Sequence, residues 1–344
     1  MKTLQLAPGE HRLANLTDTV IDGAEVSKIK LVGCRNVRVE NLRLQLVATA
    51  STVTHVNAVE IDQCEGVTFS GGNITGACRP GETKPIGRGM MINRSRGITV
   101  EDLSIDGVGK GIVLSRVEDL ILRRLDIGHF TQSGVVGGVE LINLLMEGCR
   151  IHDSADVIGD AVHADLFHIW SAPTNTLVGA VRPSSNIVLR GNLLDMGQGT
   201  PIIAILIDDN RTGIGFDNFR AEDNVIISAH PVAVGLENVR SGALLRNLLL
   251  QGAPTDRRSA PDFTLDRCGV LDVRGNTAAD RHGAFTLYPD NVTLPEGVRP
   301  AEELEAARKA WAEKWRGPPE PPPPLTLEDR VAALEARVAR LEAR

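Results

Sequence analysis

One motif keeps returning along this chain, and it constrains the fold more than any other feature: alternating apolar residues, a small or polar turn, then a shorter apolar pair. It reads NVRVENLRLQ from Asn36, GVTFSGGNITG from Gly66, GITVEDLSIDG from Gly97 and DLILRRLDIGH from Asp119. It continues as LINLLMEGCRIHD from Leu141, NIVLRGNLLDM from Asn186, NFRAEDNVIIS from Asn218 and ALLRNLLLQG from Ala243, with a weaker copy, GVLDVRGNTAA, from Gly269. Most copies are separated by roughly 20–30 residues, the length of one solenoid coil. Each alternates with period two, which makes it strand rather than helix. The Asn, Asp or Gly between its two strands (Asn41, Gly72, Asp102, Asn192, Asn224) suits a tight bend with a residue in the left-handed region.

A further strand precedes each copy: AVEID (58–62), GMMIN (89–93), GIVLS (111–115), LFHIW (166–170), IIAILID (202–208) and PVAVGLE (231–237). Three strands per coil, each stacked on the next coil, describe an all-β chain folded as a right-handed parallel β-helix. Aromatic residues make up only 3% of the chain. A stack of small coils fills with aliphatic side chains where a globular core uses Phe and Trp. The fixed LxxLxL frame of a leucine-rich repeat and the hairpin turns of a β-propeller are both missing.

This pattern assigns residues 1–295 to the β-helix. Residues 296–317, containing AEELEAARKAWAEKWRG, read as a C-terminal α-helix, and PPEPPPP (318–324) as a stiff proline-rich linker. In 325–344, Leu327, Val331, Leu334, Val338 and Leu341 fall at alternating spacings of four and three, the core positions of a short coiled coil. Val at one position and Leu at the other suit dimers or trimers. So short a segment needs help from contacts elsewhere, so self-association of the whole chain is expected.

The net charge of −7 gives no electrostatic reason to expect nucleic acid or an anionic membrane as partner. No apolar run approaches the roughly 20 residues of a membrane span. The start, MKTLQLAPGEHRL, lacks the apolar stretch of a signal peptide, so synthesis and folding in the cytoplasm are expected, with any exit by lysis or a dedicated route. Five cysteines (Cys34, Cys64, Cys78, Cys149, Cys268) lie far apart without a CxxC pair and read as small hydrophobes in a reduced compartment.

If Phe167 and Ile169, Ile205 and Ile207, and Val232 and Val234 point inward, the alternate residues form an outward row. That row holds Glu60, Asn93, Ser115, His168, Trp170, Asp208, Gly235 and Glu237. The densest chemistry is SADVIGDAVHADLFHIW (154–170), which concentrates Asp156, Asp160, His163, Asp165, His168 and Trp170. A carboxylate near an imidazole offers acid–base catalysis, and an indole can stack on a sugar ring. The expected catalytic set is His163, Asp165, His168 and Asp208. Trp170, Asp160, Asp209, Arg211 and His230 are expected to contact the ligand. The adjacent Asp208 and Asp209 also suit a shared proton, a divalent cation such as calcium, or the end of a strand. No motif for a cofactor or a dedicated metal site is recognised, and His11, His55, His129, His152 and His282 read as structural or solvated.

LAPGEHRL followed by IKLVGCRNVRVENLRL resembles the entry into the β-helix of the pectin-lyase-like superfamily. The run HADLFHIW, SSNIVLRGNLLD, IIAILIDD and NFRAEDNVIIS is similar to β-helix proteins of alphaproteobacterial phages and prophages. Those carry His-x-Asp-x-x-Gln where this chain has His163, Asp165 and His168. Asp208, Asp209 and His230 resemble the paired aspartates and later histidine of polygalacturonase-like hydrolases, although the Gly-His-Gly, Arg-Ile-Lys and Asn-Thr-Asp motifs of those enzymes are missing. The resemblance covers about residues 1–290. It implies a phage tail fibre or tailspike in the virion tail, trimeric, bound to other tail proteins, and recognising a bacterial surface polysaccharide. Cleavage of that polysaccharide, as lyase or glycoside hydrolase, is left open, as are a free bacterial enzyme and a purely structural virion part.

Overall fold

The computed structural model describes residues 1–53, 55–154, 165–171, 182–197, 203–209, 212–252, 261–279, 284–295 and 297–316. The proline-rich linker and the coiled coil of 325–344 therefore lie outside the described residues. The body is a right-handed parallel β-helix in which each strand pairs with its counterpart one coil earlier and one coil later. Among the described residues the one antiparallel pairing joins Ala77–Cys78 to Pro85–Ile86.

The strands form three faces. Sheet A contains Asn57–Asp62, the first half of Arg88–Glu101, Asp165–Trp170, Ile203–Asp208 and Val232–Glu237. Sheet B holds the alternating part of the sequence motif, such as Ser184–Arg190 and Phe216–Glu222, and sheet C its shorter apolar end, such as Leu193–Asp195 and Val225–Ser228. Arg88–Glu101, Lys110–Arg123 and Ser133–Glu147 run without a break from sheet A round the corner into sheet B.

Alternation puts one side chain in two inside, and the parallel register stacks like upon like. Val59, Met90, Ile112, Val135, Phe167 and Ile205 form one such column, each fully buried. A coil by itself cannot cover this surface, so the core exists only in the stack.

The corner between sheets B and C turns on residues in the left-handed region, among them Asn41 (φ 54°), Asp102 (φ 55°) and Asp223 (φ 55°). Asn192 and Asn224 depart from expectation: the left-handed residue is the one before each, Gly191 or Asp223. The two asparagines instead point inward, fully buried, in a ladder that continues through Asn247, Asn276 and Asn291. Asn224 donates to the Leu189 carbonyl and to Asn247 Oδ1, both at 2.9 Å, and accepts from the backbone and side chain of Asn192. Every amide in this dry corner thereby finds a partner.

Among the described residues two helices come after the strand Thr277–Ala278, α1 (Ala284–Leu287) and α2 (Ala301–Trp315). α2 starts after Pro300, whose carbonyl accepts from Leu304, and lies against the outer face of sheet C. Leu304 and Trp311 are buried there with Leu193, Ile227 and Leu250. The helix crosses the coils in reverse order. Arg299 bonds the Gln251 carbonyl at its start, Arg308 meets Asp195 at 2.7 Å, and Trp311 Nε1 donates to the Gly191 carbonyl at 2.7 Å. Arg316 donates to the Leu125 carbonyl at its end. Among the described residues no helix is long and apolar enough to cross a membrane.

Candidate functional site

The outer face of sheet A carries two ladders of side chains. One runs through Glu60, Met91, Val113, Val136, His168, Leu206 and Gly235. The other runs through Asp62, Asn93, Ser115, Gly138, Trp170, Asp208, Glu237 and Asp266. Phe167, Ile169, Ile205 and Ile207 are fully buried beneath them, so the inferred outward row does face outward. Neighbouring rungs are about 4.8 Å apart.

Trp170 lies over Gly138, its partner on the preceding coil: a Cβ built on Gly138 would sit 2.8 Å from the indole Nε1. The His168 ring meets the indole edge-on, with centroids 5.2 Å apart. Asp165 in turn puts Oδ2 2.9 Å from His168 Nδ1. Asp165 is 1% exposed, and its Oδ2 and His168 Nε2 are buried without a properly aligned hydrogen bond. Asp165, His168 and Trp170 thus form one connected group, as the dense sequence cluster suggested. Asp160 and His163 lie outside the described residues.

One rung beyond Trp170, two carboxyl groups meet. Asp208 hydrogen-bonds Glu237 on the next coil, and this contact, more than burial, raises the Glu237 carboxyl above its ordinary range. Arg267 pairs with Glu237 from the following coil and opposes that rise. A hydrogen bond between two carboxyl groups needs a proton on one of them, and the rise at Glu237 makes it the member that gains most from carrying it. Glu237 was legible as an outward residue of PVAVGLE but was not singled out, because its partner lies a whole coil away in sequence.

Asp209 turns out differently from expectation. It is fully buried and accepts from Ser171 Oγ (2.9 Å), Thr212 Oγ1 (2.8 Å), Asn238 Nδ2 (2.9 Å) and the backbone N–H groups of Gly213 (2.9 Å) and Gly215 (2.8 Å). Burial alone would raise its pKa, but these donors hold it at about 2. Its acceptor positions are used in clasping the turn at 212–215 rather than in contacting a ligand. Asp208 and Asp209 point to opposite sides of the strand and do not converge on one cation. Among the described residues no group of three or more metal-ligating side chains is assembled.

His230 folds onto its own turn, with Nδ1 2.8 Å from the Val232 carbonyl oxygen. Arg211 lies outside the described residues. On sheet C, His152 is clamped between Asp126 (2.8 Å) and Asp153 (2.6 Å). Burial would lower its pKa, yet the two carboxylates raise it. His152 is a structural ion-pair centre and lies away from the sheet A ladders.

No protein-family model matches the chain, and no curated protein matches it. Among solved structures it is similar to the surface protein and adhesin PfbA of Streptococcus pneumoniae, with a TM-score of 0.56 and 12% identity over 76% of this chain and 73% of that one. The receptor-binding tailspike of bacteriophage Det7 gives a TM-score of 0.44 at 10% identity, over 78% of this chain and 47% of the tailspike. The endo-xylogalacturonan hydrolase of Aspergillus tubingensis gives 0.39 at 12% identity, over 84% and 79%. At such identities the likeness is one of fold.

Proposed function

We propose that the outer face of sheet A binds a surface polysaccharide of bacteria along the axis of the β-helix, and that Asp208 and Glu237 act on its glycosidic linkages. The observation that carries this reading is the hydrogen-bonded Asp208–Glu237 pair one rung from an upward-facing indole. The raised pKa of Glu237 favours its protonated form, suited to give a proton to a leaving-group oxygen, and Asp208, hydrogen-bonded to it, is the base that draws a proton from a water. Trp170 supplies the flat apolar surface on which a sugar ring stacks. In this reading Asp165 and His168 orient the indole and do not react.

The wider reading is that of a tailspike or tail fibre from an alphaproteobacterial phage, acting as a homotrimer in the virion tail beside other tail proteins. Its support is the β-helix fold together with the heptad spacing of Leu327 to Leu341 in the sequence. The test is incubation of the purified chain with capsular and lipopolysaccharide preparations, following polymer size by gel filtration. Chain shortening that disappears in Asp208→Asn and Glu237→Gln supports the enzymatic reading. Co-elution with a polymer of unchanged length reduces the function to binding. Neither result with any preparation removes the glycan reading.

A further inference from the structure

At the opposite end of the same face two cations are stacked, and among the described residues neither forms an ion pair. Arg88 and Lys110 are in-register partners on neighbouring coils at the start of their sheet A strands, and the column continues through Ser133 to Asp165. Adjacent rungs hold the two charges side by side. Both side chains are half-buried. The Lys110 backbone N–H donates to the Gly87 carbonyl, but its ammonium makes no hydrogen bond or ion pair among the described residues. Arg88 has a single long contact, to Asn57 Oδ1 at 3.5 Å, and its Nε is buried without a partner.

The nearest carboxylates are engaged elsewhere. Glu60 is held by Lys30 at 2.6 Å and by Asn57 at 3.2 Å, and Asp62 by both arms of Arg94. Burial, together with the charge of Arg88, depresses the Lys110 ammonium, and burial depresses the Arg88 guanidinium against the opposing charge of Glu60. A like-charged, half-desolvated pair is unfavourable unless something occupies the space between. In a chain of net charge −7 it is also against the overall sign.

We propose that Arg88 and Lys110 form an oxyanion-binding site, which takes a carboxylate or phosphate substituent of the polymer lying on sheet A. The site rests on the glycan reading for its polymer, and it adds that the polymer is anionic and enters with its charge at the Arg88 end. Guanidinium and ammonium donors side by side match two oxygens of one carboxylate or phosphate group. Ser133, next in the column, lies beside them as a neutral donor.

The test uses the full chain and three probes: a polyuronate, inorganic polyphosphate and neutral dextran, titrated at low and high salt. The expected result is salt-sensitive binding of the polyuronate, the polyphosphate or both, with dextran much weaker. Which one binds identifies the anion. Lys110→Met and Arg88→Gln should each weaken that binding about tenfold or more while leaving the melting temperature equal or higher, because a repulsion is removed. Unchanged affinity in both variants, or binding of dextran as tight as of the charged polymers, overturns the site. If dextran binds and Trp170→Ala abolishes it, the glycan reading survives without the anion site. If Lys110→Met loses polyanion binding while Trp170→Ala and Asp208→Asn bind as before, the anion site stands and the sheet A glycan reading falls.

Discussion

Trp170 rests on the bare Cα of Gly138, one coil earlier, so the platform indole has its height set by a missing side chain. Gly138→Ala should lift or tilt the ring. Trp170→Ala should weaken polysaccharide binding by about tenfold, as for the loss of one stacking aromatic. Gly138→Ala should weaken it less, and should have no further effect in the Trp170→Ala background. A double-mutant cycle by isothermal titration measures this; independent, additive effects would disconnect the two residues.

The Asp208–Glu237 pair predicts a definite pH profile. Glu237 must be protonated to act as an acid, and its raised pKa carries that form to higher pH than an ordinary glutamate allows. Cleavage should fall as pH rises through this value. Arg267 opposes the rise, so Arg267→Met should move the falling limb to still higher pH. Glu237→Gln should lower the rate by about 10²–10⁴ on the acid side of this limb and by progressively less above it. A limb that stays put in Arg267→Met argues against Glu237 as the titrating group.

Asp209 contributes stability with the opposite sign. Its folded-state pKa of about 2 lies below the ordinary carboxylate value, so the contribution is full above the unfolded pKa and disappears as pH falls through about 2. Asp209→Asn should lower stability at neutral pH by about 2 kcal/mol, from the shift and the lost charge-assisted hydrogen bonds. Denaturant midpoints measured from pH 7 down to pH 2 should converge for the two proteins at the acid end.

The inner asparagine ladder separates two kinds of amide. Asn224→Ala leaves the Asn192 backbone N–H without its acceptor in a dry corner, although Asn192 Nδ2 keeps the Met146 carbonyl and Asn247 Oδ1 keeps the residue-224 backbone N–H, and should cost about 2–3 kcal/mol. Asn218 lies in an exposed outer row, where its amide donates to Asn186 at 2.9 Å. Asn218→Ala loses a solvated bond and strains a residue at φ 51°, and about 1 kcal/mol is expected. Urea unfolding of both variants provides the comparison.

Trp311 anchors α2 on sheet C with a buried ring and a hydrogen bond to Gly191. Trp311→Ala should remove about 3–5 kcal/mol of local stability. Hydrogen exchange should rise sharply over 301–316 and barely over the sheet A strands; uniform loss of protection would show that the helix is needed for the whole stack.

The repeat was readable because a parallel register copies the same physical demand onto every coil, as in Val59, Met90 and Ile112. The outward direction of His168, Trp170 and Asp208 followed from the same alternation. Period-two reasoning could not locate pairs formed across coils, since Glu237 meets Asp208 through stacking and not through sequence proximity. It also misplaced Asn192 and Asn224 by one residue at the bend, where an inward amide and a left-handed corner residue look alike in sequence. The Asp208–Asp209 doublet read as one acidic site, although its two members serve opposite sides of the wall.

A solenoid built only from neighbouring coils is nearly one-dimensional: its ends fray independently, and each coil can form once the previous one is in place. α2 changes that connectivity, because Arg308 and Arg316 reach coils more than a hundred residues earlier in the chain. During synthesis the early and middle coils can stack as they emerge, but their sheet C flank stays uncovered until α2 arrives. The final step then closes several coils together, so that the C-terminal end cannot unwind one coil at a time without first releasing the middle of the molecule.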